Sequence, residues 1–258
     1  ALGSPVTVTV SGTTAQSINV LTDQVAATKG ITLVSASAPL TVTTGAQGDV
    51  ITLVSGANNS IISGAGADSV SISGSGANTI SVGAGADTVL GGSGNDTIRT
   101  GSGELGIGDS LDGGDGTDTL IISGTGNVIA STTAAGAVLK NIENVVLDGT
   151  ELTVKDLATL TKLKSIQGSS ATSEVTIDLG TYTGAQTIDL TGTALTGLKT
   201  LKVDGTGAAN VAVTIKADAA DLQAIGSFTK GTNVAAAVGL QTDVAGFKAL
   251  ATITTASV

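Results

Sequence analysis

The chain has 258 residues, a formal net charge of −10 and a pI of about 4.2, and it contains no Cys, His, Met or Trp. The acidic balance argues against binding to nucleic acid or to anionic membrane surfaces, and no apolar run is long enough to span a bilayer. Without His and Cys, the chain has no disulfide, no His-based catalytic triad and no His- or Cys-ligated zinc. Carboxylates are the main site chemistry that remains.

The N-terminal segment, 1–43, contains three short alternating β segments, Val6–Val10, Ile31–Val34 and Leu40–Thr43. Alternating β-branched and polar residues are typical of strands with one buried face. Aromatic residues make up only 1% of the chain, so a core of thin aliphatic layers, as in a solenoid, fits it better than a large globular core. We therefore predict that 1–43 forms strands that continue and cap a β stack.

Residues 44–129 repeat one short step, an acid or amide followed by any residue and an aliphatic one, mostly at intervals of nine or ten residues. The step begins at Asp49, Asn59, Asp68, Asn78, Asp87, Asp96, Asp109, Asp118 and Asn127. Most copies follow Gly-x-Gly-x, with glycines that include Gly64, Gly66, Gly83, Gly85, Gly92, Gly94, Gly114 and Gly116. Glycine allows a tight loop to turn its carbonyl oxygens inward, and the β-branched residue after the acid suits a short strand. Carbonyl and carboxylate oxygens together are the ligands that calcium prefers.

These residues resemble the RTX calcium-binding nonapeptide repeat, GGxGxDxUx, over about a third of the chain. The resemblance implies a parallel β-roll in which two nonapeptides form one coil. It also implies several Ca²⁺ ions, each between one loop and the next loop on the same side of the roll. The predicted fold class is all-β, a parallel β-roll or β-helix (RTX solenoid) that continues into a wider β-solenoid with a few short helices.

Taking alternate loops sorts the repeated positions into two rows. The first row is Asp49, Asp68, Asp87, Asp109 and Asn127, and the second is Asn59, Asn78, Asp96 and Asp118. The resemblance implies calcium between Asp68 and Asp87 and between Asp96 and Asp118, with carbonyls from the Gly-x-Gly-x loops. Asp49 and Asp109 are further candidate ligands, and we expect the two Asn positions of the second row to form an amide ladder without metal.

Two alternatives stay open for the aspartates. Asp112 and Asp115 lie in an acidic segment, 108–120, where they add another calcium site or form only a solvated turn. The repeated aspartates themselves could serve only as hydrogen-bonding turn residues in a metal-free β-helix.

The C-terminal region, 130–258, keeps β periodicity without the Gly-x-Gly-x-Asp pattern. Three similar segments end at Gly149, Gly168 and Gly205, at separations close to one and two coils. We predict a calcium-poor β-solenoid with short helices over 154–163 and 217–225; a separate β-sandwich is the alternative.

The resemblance extends to RTX-containing bacterial surface-layer (S-layer) proteins. It implies a secreted structural subunit at the cell surface that folds on extracellular calcium and assembles with copies of itself. It also implies type I export with an uncleaved signal near the C-terminus, in keeping with the absence of a recognisable cleavable signal at Ala1. Cell-surface polysaccharide, bound through another region, is a further expected partner, while nucleic acid and membrane insertion are not expected. The alternative is an adhesin or biofilm-matrix module, and we expect no enzymatic activity because neither a zinc HExxH nor a GxSxG with His is present.

Overall fold

The computed structural model describes residues 6–10, 14–19, 31–35, 38–130, 136–155, 162–169, 172–180, 186–190, 192–204, 211–218, 220–221, 225, 227–230 and 234–241. These residues form short β-strands joined by tight turns. The strands are β1 (Val6–Val10), β2 (Gln16–Asn19), β3 (Ile31–Ser35), β4 (Leu40–Thr43), β5 (Val50–Ser55), β6 (Ser60–Ile62), β7 (Ser69–Ser73), β8 (Thr79–Ser81), β9 (Thr88–Leu90), β10 (Thr97–Thr100), β11 (Ser110–Asp112), β12 (Thr119–Ser123), β13 (Asn127–Ile129), β14 (Val138–Lys140), β15 (Asn144–Asp148), β16 (Glu151–Val154), β17 (Ser165–Gly168), β18 (Glu174–Asp178), β19 (Gln186–Asp189), β20 (Ala194–Thr196), β21 (Thr200–Asp204), β22 (Val211–Lys216), β23 (Ser227–Lys230) and β24 (Val234–Gln241).

The strands form parallel sheets in which alternate strands of the chain lie side by side. One sheet has the order β1-β3-β5-β7-β9-β11-β14, and a second has β2-β4-β6-β8-β10-β12-β15-β17-β20. Two smaller sheets, β13-β16-β18-β21-β23 and β19-β22-β24, lie in the C-terminal half. A chain that visits each sheet once per coil and always pairs in parallel is a β-solenoid, so the predicted all-β solenoid is confirmed.

The core lies between the sheets and consists of aliphatic columns. Ile51 pairs with Val70, Val70 with Val89, and Val89 with Leu111, and each of these side chains is buried. In β7 and β8 the alternation of buried and partly exposed residues places Ser and Thr outside and Val and Ile inside. Stacking in register lets each coil bury its apolar face against its neighbours, which one coil cannot do alone.

An insertion before β11 begins a third side of the solenoid. Coils along the first row of loops are 19 residues long, and the coil that contains the insertion has 22. Within the insertion Leu105 is buried, its N–H donates to Asn127 Oδ1, and its carbonyl accepts from the Val128 N–H. The sheet that starts at β13 therefore stacks on this insertion, and later coils reach 26 to 29 residues.

One sequence expectation for the C-terminal half needs correction, and the alternative fold given for this half is excluded. The segment ending at Gly205 contains β21, which pairs with β18, whereas the segments ending at Gly149 and Gly168 contain β15 and β17 of another sheet. The three segments are therefore not equivalent coils. The parallel pairing of β12 with β15 and of β15 with β17 also shows one continuing solenoid and not a separate sandwich.

The predicted short helices are largely outside the described residues. The helix predicted over 154–163 is wrong at its start, because Val154 ends β16 and the Lys155 N–H donates to the Ile129 carbonyl; residues 156–161 are not described. Of the helix predicted over 217–225, only 220–221 are helical among the described residues. No helix in the described ranges is long and apolar enough to cross a membrane.

Candidate metal centre

The first row of loops is a ladder in which each carboxylate accepts the backbone N–H of the preceding coil. The Asp49 N–H donates to Asp68 Oδ1, the Asp68 N–H to Asp87 Oδ1, and the Asp87 N–H to Asp109 Oδ1, each at 2.8 Å. The structure thus brings Asp68 and Asp87 together on neighbouring coils, as the spacing predicts. The expectation that Asn127 follows Asp109 is wrong, because Asn127 bonds to Leu105 on the third side.

The second row uses the same ladder with mixed chemistry. The Asn59 N–H donates to Asn78 Oδ1 at 3.1 Å, and the Asn78 N–H donates to Asp96 Oδ1 at 2.7 Å. The Asp96 N–H donates to Asp118 Oδ1, also at 2.7 Å, and the Asp118 N–H donates to Glu143 Oε2 at 2.8 Å. Asp96 and Asp118 are therefore neighbours, and Glu143 extends the row.

Four of the aspartates differ from the others in the surroundings of their second carboxylate oxygen. The Oδ2 atoms of Asp68, Asp87, Asp96 and Asp118 are buried and make no hydrogen bond of normal geometry, although the Ser63 side chain lies close enough to Asp68 to oppose the rise in its pKa. A buried polar atom without a partner costs about 1–3 kcal/mol, and more if it is charged. These atoms are suited to a cation, which would supply the missing positive charge.

Burial raises the pKa of these carboxylic acids. It raises the pKa of Asp87 and Asp96 from 3.8 to about 6, and it also raises the pKa of Asp68, Asp109 and Asp118. The negative charges of neighbouring carboxylates add to the effect, as Asp118 does for Asp96. Each row therefore contains stacked aspartates whose charged form is unfavourable without a counter-ion.

The two Asn residues of the second row donate side-chain hydrogen bonds that a charged Asp cannot donate. Asn78 Nδ2 donates to Gly76 O at 2.8 Å, to Asp96 Oδ1 at 2.9 Å and to Gly91 O at 3.2 Å. Asn59 Nδ2 likewise donates to Ala57 O at 2.6 Å and to Asn78 Oδ1 at 2.8 Å. The hydrogen bonds confirm the amide ladder expected for these two residues.

In Asp96 the atom equivalent to Asn78 Nδ2 is the carboxylate oxygen Oδ2, which has no proton to donate when the carboxylate is charged. A Cβ placed on Gly91 would lie 2.6 Å from Asp96 Oδ2 and 2.5 Å from Gly113 O, so both oxygens lie close to Gly91. Gly113 follows β11 as Gly91 follows β9, and Gly113 O is therefore the counterpart of the carbonyl that Asn78 contacts. A carboxylate oxygen and a carbonyl oxygen that lie near each other are the kinds of ligand that Ca²⁺ accepts.

The predicted glycines line the same loops. Positive φ angles occur at Gly64, Gly66, Gly85, Gly92, Gly114 and Gly116. Gly83 and Gly94 have no such angle, but a Cβ there would lie 1.5 Å from Gly64 O and 2.3 Å from Gly76 O. The glycines are therefore required both for loop curvature and for the close approach of carbonyls from successive coils.

The remaining predicted aspartates differ from the four with a free oxygen. Asp109 Oδ2 accepts the Gly106 N–H at 2.7 Å, and Asp49 Oδ2 accepts the Gly45 N–H at 3.4 Å. Asp112 is partly exposed, and its Oδ1 accepts from Gly114 N–H and from Asn141 Nδ2. Asp115 is exposed. Calcium binding by these four residues stays a prediction, as it does for every named ligand.

Sequence reasoning missed Glu143 as a member of the second row. Glu143 precedes the β residues of Asn144–Asp148 as Asp118 precedes those of β12, but no Gly-x-Gly-x stands before it. The acid-x-aliphatic step that defines the repeat is present here as Glu143-Asn144-Val145, and following the step beyond residue 129 would have identified it.

Among the described residues no three acidic side chains form a ready-made metal cluster. A cation in these loops would therefore take backbone carbonyls in addition to one or two carboxylates. Calcium, which accepts six to eight oxygen ligands from both sources, is compatible with this arrangement.

A family model for the RTX calcium-binding nonapeptide repeat (4 copies) matches residues 72–104 of this chain. Neither the curated proteins nor the solved structures give a significant match. The matched repeats and the parallel solenoid together support an RTX β-roll in this chain. Such repeats bind Ca²⁺ at several sites, so calcium is the cofactor of this domain.

Proposed function

We propose that the chain is a structural subunit of a secreted bacterial surface lattice, an S-layer, that folds and assembles on extracellular calcium. The observation that carries the calcium step is the set of buried Oδ2 atoms without a partner in the matched part of the chain and beside it. Their negative charges oppose one another while calcium is scarce and bind the coils together when it is plentiful.

This arrangement suits export in an unfolded state. RTX repeat proteins are typically secreted by type I systems, which carry unfolded chains from a calcium-poor cytosol. Binding free energy then becomes folding free energy outside the cell, where calcium is about millimolar. Folding after export also keeps the solenoid from stacking on other chains before secretion.

The lattice role is supported by the shape of the domain. A solenoid ends in strands with unpaired backbone groups, and such edges accept a further strand unless they are covered. The outward faces of β7 to β9 carry mainly Ser and Thr, which are neutral and can approach a second copy closely. RTX β-roll domains are generally structural, in keeping with a role in assembly.

The test is circular dichroism and analytical ultracentrifugation of the purified chain in EGTA and in rising CaCl₂, followed by electron microscopy. We expect β signal to appear with calcium, followed by large ordered sheets. The Asp68→Asn/Asp96→Asn variant should need less calcium to fold, because amides replace two buried charges. Asp148→Asn, at an exposed position in the C-terminal half, is the matched control.

Two outcomes would overturn parts of the proposal. A chain that folds with calcium but stays monomeric at millimolar calcium contradicts the lattice and favours an adhesin or biofilm-matrix module. A chain that is fully folded in EGTA and indifferent to calcium contradicts calcium-gated folding.

A further inference from the structure

The turn at 141–143 occupies a repeat position without having a repeat sequence. Lys140 pairs with Asp112, as Asp112 pairs with Leu90, and Asn144 pairs with Thr119. The turn at 141–143 is therefore the counterpart of the Gly-rich loop at 113–118 in the previous coil. It connects the same two sheets with three residues in place of six, and it lies outside the matched repeats.

The short turn keeps the first carbonyl of the longer loops. Asn141 is the one non-glycine residue with positive φ among the described residues, at 47°. A Cβ on Gly113 would lie 2.3 Å from Asn141 O and 2.4 Å from Asp118 Oδ2. The equivalent oxygens of the previous coil, Gly113 O and Asp96 Oδ2, lie close to Gly91 in the same way.

The turn also keeps a carboxylate in the ladder. Glu143 Oε2 accepts the Asp118 N–H at 2.8 Å, as Asp118 Oδ1 accepts the Asp96 N–H. The additional methylene of Glu lets a shorter turn place its carboxylate at this position. Glu143 is only partly buried, so its carboxylate is more accessible to solvent than those of the four aspartates.

The charge at this corner is uncompensated within the described part of the chain. Asp118 is fully buried and its Oδ2 has no hydrogen-bond partner, while both this atom and the Asn141 carbonyl oxygen lie close to Gly113. The acids Asp112 and Glu143 act on Asp118 as nearby negative charges. In the Asn78 coil an amide proton donor points at the equivalent carbonyl, whereas here only oxygen is present.

We propose that a calcium ion binds at this junction, held by the Asp118 carboxylate, the Asn141 carbonyl and the Glu143 carboxylate. The proposal rests on calcium binding by the repeats but adds a site from a loop that lacks the repeat motif. Other ligands would come from loop carbonyls or water, because three acidic side chains do not converge here among the described residues.

The position of this site connects the β-roll to the C-terminal stack. The Glu143 carbonyl accepts the N–H groups of Lys164 and Ser165, at 2.7 and 3.2 Å, at the start of β17. Calcium that fixes Glu143 therefore also fixes the first corner of the coil that follows. The junction site is expected to stabilise β15 and β17 and so to transmit calcium binding into the calcium-poor half.

The experiment counts calcium ions on the full chain by native mass spectrometry and isothermal titration calorimetry. The variants are Glu143→Gln, which keeps an oxygen to accept the Asp118 N–H, and Glu151→Gln as a control at an exposed position. We expect Glu143→Gln to bind one ion fewer, and Glu151→Gln to match the wild type. Hydrogen exchange at Ser165–Gly168 should increase in Glu143→Gln at saturating calcium.

The same number of ions with the same affinities in Glu143→Gln would overturn the junction site and leave the calcium-binding repeats intact. A wild-type chain that binds no calcium would overturn both. If Glu143→Gln does not fold, Glu143→Asp retains the charge on a shorter arm, and one ion should then bind at least about tenfold more weakly. Unchanged affinity in Glu143→Asp would contradict the role of Glu143.

Discussion

Two kinds of coil share one edge of the roll and one backbone geometry: the amide coils at Asn59 and Asn78, and the carboxylate coils at Asp96 and Asp118. They differ in the second side-chain atom, which is an NH₂ nitrogen in Asn and an oxygen in Asp. In both, a side-chain oxygen accepts the N–H of the preceding coil. Asn78 then has a second donor that satisfies the surrounding carbonyls, whereas the second atom of Asp96 is an unpartnered oxygen. The buried polar atoms of the amide coils are therefore satisfied within the protein, whereas the carboxylate coils need a proton or a cation to balance the second oxygen.

This difference predicts that calcium dependence is set coil by coil and not by the fold. A residue with the same shape and no charge gives a metal-independent corner in the same solenoid. The C-terminal half continues this trend, since Thr150, Ser173 and Thr193 are the buried polar residues at its corners.

The largest expected effect is that of pH on the calcium-free chain, because it acts on several carboxylates at once. The pKa of Asp87 and Asp96 is raised from 3.8 to about 6 by burial. Their protonated forms are favoured in the folded state, so the stability that they contribute is complete below pH 4 and is lost as the pH rises through 6. Each group changes the free energy of unfolding by up to about 1.4 kcal/mol per pH unit in this window.

The measurement is urea denaturation in EGTA between pH 3.5 and 7, at points separated by about half a unit, within the window that linkage defines. The Asp87→Asn/Asp96→Asn variant should show a flatter profile. In saturating calcium the trend should reverse, because protons compete with the ion. Stability that rises from pH 4 to 6 in EGTA would show that the carboxylates are stabilised by the protein alone.

The next-largest effect is expected for Gly-to-Ala substitutions in the loops, which test whether the two kinds of coil share one backbone geometry. A Cβ on Gly76, in an Asn loop, would lie 1.9 Å from Ala57 O, and a Cβ on Gly94, in an Asp loop, 2.3 Å from Gly76 O. We expect Gly76→Ala and Gly94→Ala each to lower the free energy of unfolding in saturating calcium by about 3 kcal/mol or more.

Gly106→Ala is the matched control, because a Cβ on Gly106 has no atom within 4 Å and should cost little. Denaturant titrations of the three variants at one calcium concentration give the comparison. A loss confined to Gly94→Ala would mean that the Asn loops are packed less closely than the Asp loops.

A reciprocal exchange on the shared edge should have opposite effects in EGTA at neutral pH. Asp96→Asn removes a buried charge and supplies a donor toward Gly113 O, and it should raise the free energy of unfolding by about 2 kcal/mol. Asn78→Asp removes the Nδ2 hydrogen bonds and adds a charge beside Asp96, and it should lower the same quantity by about 2 kcal/mol.

Thermal and urea unfolding of both variants, with and without calcium, measure this exchange. Calcium should recover most of the loss in Asn78→Asp and should stabilise Asp96→Asn less than the wild type. Two destabilised variants in EGTA would refute the view that the amide substitutes for the ion.

The smallest effect is expected at Asp115, whose side chain is exposed at the loop surface. Asp115→Asn should change the free energy of unfolding by less than about 0.5 kcal/mol, since surface substitutions without buried contacts rarely do more. The calcium midpoint of folding, followed by circular dichroism, is the sensitive readout. A large shift in this midpoint would assign Asp115 to a calcium site, as the acidic segment first suggested.

Much of the fold follows from the sequence because the repeat is local. The acid-x-aliphatic step, the Gly-x-Gly-x loops and the nine-residue spacing predict the β-roll, its two rows of loops and the neighbours Asp68 with Asp87 and Asp96 with Asp118. These predictions hold because each coil repeats one short interaction that every copy makes with the next.

The tertiary structure alone decided what happens where the repeat changes length. The insertion that contains Leu105 could extend an existing loop or begin a new side, and only the pairing with Asn127 shows that it begins a third sheet. Glu143 likewise joins the carboxylate row through a turn of another length, 25 residues after Asp118. Such contacts are set by the path of the whole coil, because in a parallel stack a residue meets its partner only after the chain has completed a full turn.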